Sequence, residues 1–262
     1  NTAKCYGLKH LGAISPGFQA DFVVLDNLQD LNVTDVFYKG KLVDRNAPIR
    51  VKTCGRALKH TVHLDKVKAE QFVLPIGKKK THVIGINPSQ ITTEDLAVSL
   101  QPAANYVPTD GYSKVAAVER HHNTGKIGVA VAKGYGIRNG AVASSVSHDS
   151  HNIIVIGDND RDMALAVDEI IRTQGGYTVA ENGEVFETLP LPIMGLMSDA
   201  GFESVNETLG RMIKKAHEMG VPADIEPFIT LSFLALPVIP TLRITPRGLC
   251  LLTAKGPEIL QE

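Results

Sequence analysis

Asn182-Gly183 stands between two β-like runs, Tyr177-Thr-Val-Ala180 and Glu184-Val-Phe-Glu187. A two-residue hairpin loop of the primed type needs positive φ at both central residues, and Asn followed by Gly supplies that at low cost. An antiparallel pair is therefore predicted here. Helical patterns flank it on both sides. The first is expected from about Asp160 to Thr173, with Asn159 as N-cap and Gly175 as stop. Its apolar positions Met163, Ala166, Val167, Ile170 and Ile171 follow the spacing of one helix face. The second is expected from about Val205 to Met219. Ser204 and Glu207 would form a capping box, Val205, Leu209, Met212, Ile213 and Ala216 the stripe, and Gly220 the end.

Further strand candidates are His82 to Ile86, Val115 to Val118, Ile127 to Ala132, Ala141 to Val146 and Ile153 to Ile156. Residues 1 to about 50 read as a small β unit. Pro16-Gly17 makes a turn, Ala20 to Asp26 a strand, and Lys39-Gly40 a tight hairpin within Val36 to Val43. The composition shifts at Arg45 to Pro48, which predicts a connection. The stretch Phe228 to Leu236 fits short helix and strand equally. The fold class expected is α+β. From about residue 55 the pattern changes to mixed α and β.

Composition excludes several partners. There are 27 Lys plus Arg against 28 Asp plus Glu, a net charge of −1, so nothing in the charge balance points to nucleic acid or an anionic membrane. Lys78-Lys79-Lys80 reads as a solvated turn. The longest apolar run, near Leu231 to Ile239, is broken by Pro237 and is too short to span a bilayer. Cys5, Cys54 and Cys250 are odd in number and far apart, which argues against a disulfide framework and points to a reducing cytoplasm. The chain opens at Asn1 directly into ordered-looking sequence, as a piece of a longer polypeptide or a processed N-terminus would.

Phosphate-loop, nucleophile-elbow, HExxH and zinc cytidine-deaminase patterns are missing, and no His-x-His occurs. The histidines are nonetheless clustered. His121 and His122 lie in Glu119-Arg-His-His-Asn-Thr-Gly125, and His148 and His151 lie in Ser145-Val-Ser-His-Asp-Ser-His-Asn152. Three readings stand for the second stretch. In a helical turn, His148 and His151 would share one face and could bind a metal, whereas in an extended segment they would point apart. Ser, Asp and Asn could simply close a polar turn on their own backbone. Or the stretch could wall a pocket, with Asp149 accepting a substrate N–H or orienting an imidazole while His151 and Asn152 donate. Glu119 and Arg120 read as a structural ion pair. His60 and His63 read as an exposed strand face, and His10, His82 and His217 as structural or solvated.

Gly12-Ala-Ile-Ser-Pro-Gly-Phe-Gln-Ala-Asp-Phe-Val-Val-Leu-Asp26 resembles the segment that follows the barrel in metal-dependent amidohydrolases. Glu119 to Gly128, Gly140 to Asn152, Leu189 to Ser198 and Thr230 to Pro240 resemble the C-terminal region of bacterial adenine deaminases. The resemblance covers nearly the whole chain, and it implies that 1–54 is a remnant of a small β-sandwich and 55–262 a mixed α/β accessory domain. It implies a hydrolase that turns adenine and water into hypoxanthine and ammonia, with Mn or Fe held in a barrel whose His-x-His motif is not found here. It also implies a homodimer. On this resemblance no metal ligand is assigned to this chain, and the chain alone is expected to be inactive. Asp149 and His151 become the candidate catalytic residues, with His148, Asn152, His121 and His122 as candidate adenine contacts at the barrel's mouth. A different cyclic amidine or amide substrate, or a non-catalytic binding or oligomerisation module, is the alternative.

Overall fold

The structure, a computed structural model, describes residues 2–47, 55–77, 79–109 and 111–260. The expected boundary at 54/55, the connection at Pro48, and residues Cys54 and Lys78 touch or fall outside those stretches. The chain divides into two compact units, Asn1–Lys52 and Thr53–Glu262.

The first unit holds a short helix α1 (Thr2–Cys5) and strands β1 (Phe22–Leu25), β2 (Val33–Tyr38) and β3 (Lys41–Leu42) in one antiparallel sheet. Its turns follow the residues that were read as turns. Phe18 N–H donates to Ser15 O across Pro16-Gly17 at 3.1 Å, and Lys39 and Gly40 both take positive φ, 51° and 74°. Phe22 and Phe37 face each other in register and stack at 4.7 Å. No described residue of this unit is buried, so its apolar strands have no core of their own. Three strands alone are marginal without a second layer.

The second unit is built on eight strands: β4 (Thr81–Ile86), β5 (Thr93–Val98), β6 (Tyr112–Val118), β7 (Ile127–Lys133), β8 (Gly140–Ser144), β9 (Ile153–Gly157), β10 (Gly176–Glu181) and β11 (Glu184–Pro190). Their spatial order is β11-β10-β8-β9-β6-β7-β4-β5, and only β4 and β7 run parallel. The central strands are buried on both faces, which explains why Ile153 to Ile156 is continuously apolar rather than alternating. Ile154, Ile156, Val115 and Ala117 point into one core, and Ile153, Val155, Ala116 and Val118 into the other.

Helix α2 (Asp160–Thr173) covers the second face with Met163, Ala166, Val167 and Ile170. The Asn159 side chain caps it by accepting from Asp162 N–H at 2.8 Å. At the far end Gln174 takes the left-handed conformation and Gly175 follows at φ 118°. The other face is covered by α3 (Phe202–Glu218) and α4 (Pro227–Leu234), together with a small antiparallel sheet of β12 (Leu242–Thr245), β13 (Gly248–Thr253) and β14 (Gly256–Ile259).

Four local readings change. Helix α3 starts at Phe202, after Gly201 at φ 89°, and has no side-chain cap. Ser204 and Glu207 then lie within the helix rather than forming a capping box. Strand β8 ends at Ser144, because Val146 N–H turns back to Ser144 Oγ at 2.9 Å. Phe228 to Leu236 resolves as α4: Glu226 caps it, Pro227 occupies its first turn, and Phe228, Leu231 and Leu234 are buried. Strand β5 and the β12–β14 meander are additional to the strands expected. The Asn182-Gly183 hairpin forms as predicted, with φ 53° and 83°.

Asn159→Ala removes the cap of α2 and should cost about 1 kcal/mol of stability. Urea unfolding checks this: the midpoint falls while the slope is unchanged, and an unchanged midpoint contradicts the capping role.

Candidate functional site

The antiparallel pairing of β6 with β9 places Val118 opposite Ile153. The residues leaving β6 and those entering β9 therefore emerge at the same end of the sheet. That register brings Glu119-Arg-His-His122 beside His148-Asp-Ser-His-Asn152, two stretches some thirty residues apart in sequence.

At the centre is Arg120, only 2% exposed and, among the described residues, without a carboxylate at its guanidinium. Its Nε donates to His151 O. Nη1 donates to Thr61 O at 3.0 Å and Thr61 Oγ1 at 3.3 Å, and Nη2 to Met194 O at 3.0 Å. One planar fork thus joins three chain segments. Arg120 N–H also donates to the Asn152 side-chain oxygen at 3.3 Å. Burial lowers the guanidinium pKa from its ordinary value.

The stretch His148 to Asn152 is a turn. His151 N–H donates to Ser147 O at 2.7 Å, and His151 takes φ 49°. Ser147 Oγ donates to Asn152 O at 2.6 Å. Ser147 and Asn152 are buried, and their polar groups act within the turn and on its neighbours. His148 packs against Phe233 in a tilted ring pair at 5.2 Å and lies 6.2 Å from His151, ring centre to ring centre. The two imidazoles therefore share a side, as a turn requires. The Asp149 side chain is 85% exposed and that of His148 is 45% exposed, with Asp149 Oδ1 3.6 Å from His148 Nδ1. His121 Nε2 is 2.7 Å from Ser150 O, and the His121 and His122 rings lie 6.3 Å apart. The four histidines thus gather at one sheet end. His151 Nδ1 is buried and has no hydrogen-bond partner among the described residues.

Glu119 and Arg120 do not form the expected ion pair. The Glu119 carboxylate accepts from the backbone N–H of His121, His122 and Thr124 at 2.5, 3.0 and 3.1 Å, and from Thr124 Oγ1 at 3.0 Å. Successive side chains leave a strand end on opposite sides, so Glu119 closes its own loop while Arg120 turns inward. His60 and His63 do not lie on a strand: they follow a single 3₁₀ turn, Arg56–Lys59, and His63 N–H donates to Arg120 O at 2.7 Å. His82 Nδ1 meets Asp95 Oδ1 at 2.9 Å, and His217 Nδ1 meets Val221 O at 3.0 Å.

Among the described residues, no group of three or more His, Cys, Asp or Glu is placed to hold a metal ion. His148, Asp149 and His151 therefore do not amount to a metal centre. No helix among the described residues is long and apolar enough to cross a membrane. Two participants had escaped the sequence reading: Arg120 as a three-way donor, and the Met194-Gly195 loop it holds. An arginine two residues beyond an apolar strand looks like any surface charge, and only the register of β6 with β9 turns it inward.

The two units have distinct relatives. Residues 1–43 match the amidohydrolase family, and residues 90–255 match the adenine deaminase C-terminal domain family. The chain thus joins a segment similar to part of the amidohydrolase family to a domain of a second family. The chain belongs to the adenine deaminase C-terminal domain family, whose match covers most of the second unit. An adenine deaminase of Desulfitobacterium hafniense is 51% identical over 251 residues, spanning 95% of this chain and 44% of that protein. Adenine deaminases of Clostridium acetobutylicum and Bacillus pumilus are each 40% identical over 257 residues, spanning 95% of this chain and 45% of theirs. The chain spans less than half the length of these curated relatives.

Burial, then the nearby charges of Arg120 and His148, hold the His151 imidazole below its ordinary pKa of 6.5. A lowered histidine pKa means that the unfolded chain takes up its proton first as pH falls. Stability is therefore full above pH 6.5 and declines as pH drops from 6.5 towards the lowered folded value. Two-dimensional NMR should show His151 titrating with a midpoint below 6.5. A midpoint at or above that value contradicts this placement.

Proposed function

We propose that the chain is the C-terminal portion of an adenine deaminase, converting adenine and water into hypoxanthine and ammonia. The observation that carries the reading is the family match over residues 90–255, supported by the 51% identical relative. Among the described residues, no donor set fits a metal site. The divalent metal, Mn or Fe, is therefore assigned to the barrel of the complete enzyme, where it would activate water, and no step is routed through it here.

What this chain contributes is one wall of the pocket. The exposed Asp149 carboxylate accepts a purine N–H, and His148 and His121 offer ring nitrogens beside it. His151, held neutral at pH 7 by burial, orients the turn and presents Asp149. Asn152 is buried and tied to Arg120, so its part is to fix the turn rather than to touch adenine. His122 lines the rim. Closing this surface over the barrel mouth excludes water from the reacting purine. The complete enzyme is taken to be a cytoplasmic homodimer.

The isolated chain should not turn over adenine, and turnover by a pure preparation contradicts this. In the full-length enzyme, Asp149→Asn should lower kcat/KM for adenine about tenfold, a loss of about 1.4 kcal/mol in transition-state stabilisation, with an unchanged unfolding midpoint. Unchanged kcat/KM leaves Asp149 as a turn residue only. A purine and amidine panel checks the substrate class, and preference for a substrate other than adenine overturns the assignment.

A further inference from the structure

The loop that Arg120 grips carries exposed apolar side chains. Met194 is 43% exposed, Met197 51% and Leu58 43%, and Phe202, at the start of α3, is 72% exposed. Three of these belong to one place: Met194 N–H donates to Leu58 O at 2.6 Å, and Ile193 and Met197 pair across the loop. An ion pair between Lys59 and Asp199 borders the patch. Apolar residues rich in Met at the centre and charged groups at the rim form the usual composition of a protein interface.

The loop is also held rigid. Ser145 Oγ donates to Gly195 O at 2.6 Å, and Arg120 Nη2 donates to Met194 O at 3.0 Å. Gly195 has φ 72°, and a Cβ there would meet Arg120 Nη1 at 2.7 Å, so the chain can pass this close only as glycine. Two buried polar anchors thus keep methionines in water, a cost that a free surface would not require.

We infer that the Leu58–Met194–Met197 patch is the seat on which the amidohydrolase barrel of the complete protein docks. The inference rests on the reading of the chain as part of a longer amidohydrolase and not on the identity of the substrate. More than half of each curated relative lies outside the matched part, which supplies an occupant of sufficient size. The patch adjoins the histidine end of the sheet through Arg120, so docking here brings His148 and Asp149 to the edge of the barrel. A contact of this kind fixes their distance from the substrate.

The test is methionine oxidation by dilute peroxide in the full-length protein, read residue by residue by mass spectrometry. Met163 and Met212 are fully buried and serve as internal references. Docking predicts that Met197 oxidises within about threefold of Met163 and Met212. It further predicts that Leu58→Glu speeds Met197 oxidation at least tenfold while both references stay slow, which shows that the domain is still folded. Met197 oxidising at least tenfold faster than the references in the unaltered protein overturns the inference. So does a Leu58→Glu variant in which Met197 remains slow. Protection that rises with protein concentration assigns the patch to a second copy and overturns it as well. Activity on adenine is not read in this assay. Failure of the substrate assignment therefore leaves the docking result standing.

Discussion

A guanidinium buried without a carboxylate must find its partners among backbone carbonyls, and carbonyls come attached to chain segments. Arg120 therefore fixes three segments at once: the lead-in at Thr61, the turn at His151 and the loop at Met194. Each unpaired carbonyl or N–H left behind by its removal would carry a desolvation penalty of about 1–3 kcal/mol. The arrangement is cooperative in the sense that no one of the three segments can move without breaking a bond that the other two help to hold. Everything proposed for the histidine-bearing surface depends on that knot.

The same device recurs at the opposite side of the fold. Arg243 is fully buried in β12, and burial holds its pKa down to about 10. It donates to Ile239 O, Ile91 O and Pro240 O, which ties the entry to β5 to the small C-terminal sheet. Lys114, buried in β6, differs in having a charged partner: its ammonium meets Asp160 Oδ1 and Asn105 Oδ1 at 2.6 Å and Phe72 O at 3.0 Å. That contact joins the sheet to the first turn of α2. Buried cations, rather than extra strands, thus join the irregular segments to the doubly covered sheet.

Much of this was legible in the residues, and the reasons are local. The Asn182-Gly183 hairpin, the Asn159 cap and the stripe of α2 depend on neighbours within a few positions. The apolar runs of β6, β7 and β9 are strong because both faces are buried. What was hidden depends on long-range register. Thr93 to Val98 forms β5 only because β4 pairs with it, and its acids face outward. The Glu119–Arg120 pair reads plausibly from sequence proximity and fails because adjacent side chains diverge. Of the site, the cluster of histidines was visible in the spacing, whereas the burial of Asn152 and the grip of Arg120 were not. The family resemblance is confirmed by the matches over residues 1–43 and 90–255.

The central claim is that the Arg120 fork holds the histidine turn and the methionine loop to the sheet. Arg120→Lys tests it most directly, because lysine keeps the charge but cannot reach three separated carbonyls with one planar group. Amide exchange at His151 and Met194, whose N–H groups bond Ser147 O and Leu58 O, is the measurement. The account predicts that both amides exchange at least tenfold faster in the variant, while amides in the centre of β9 change only with global stability. Retention of wild-type protection at His151 and Met194 would contradict it.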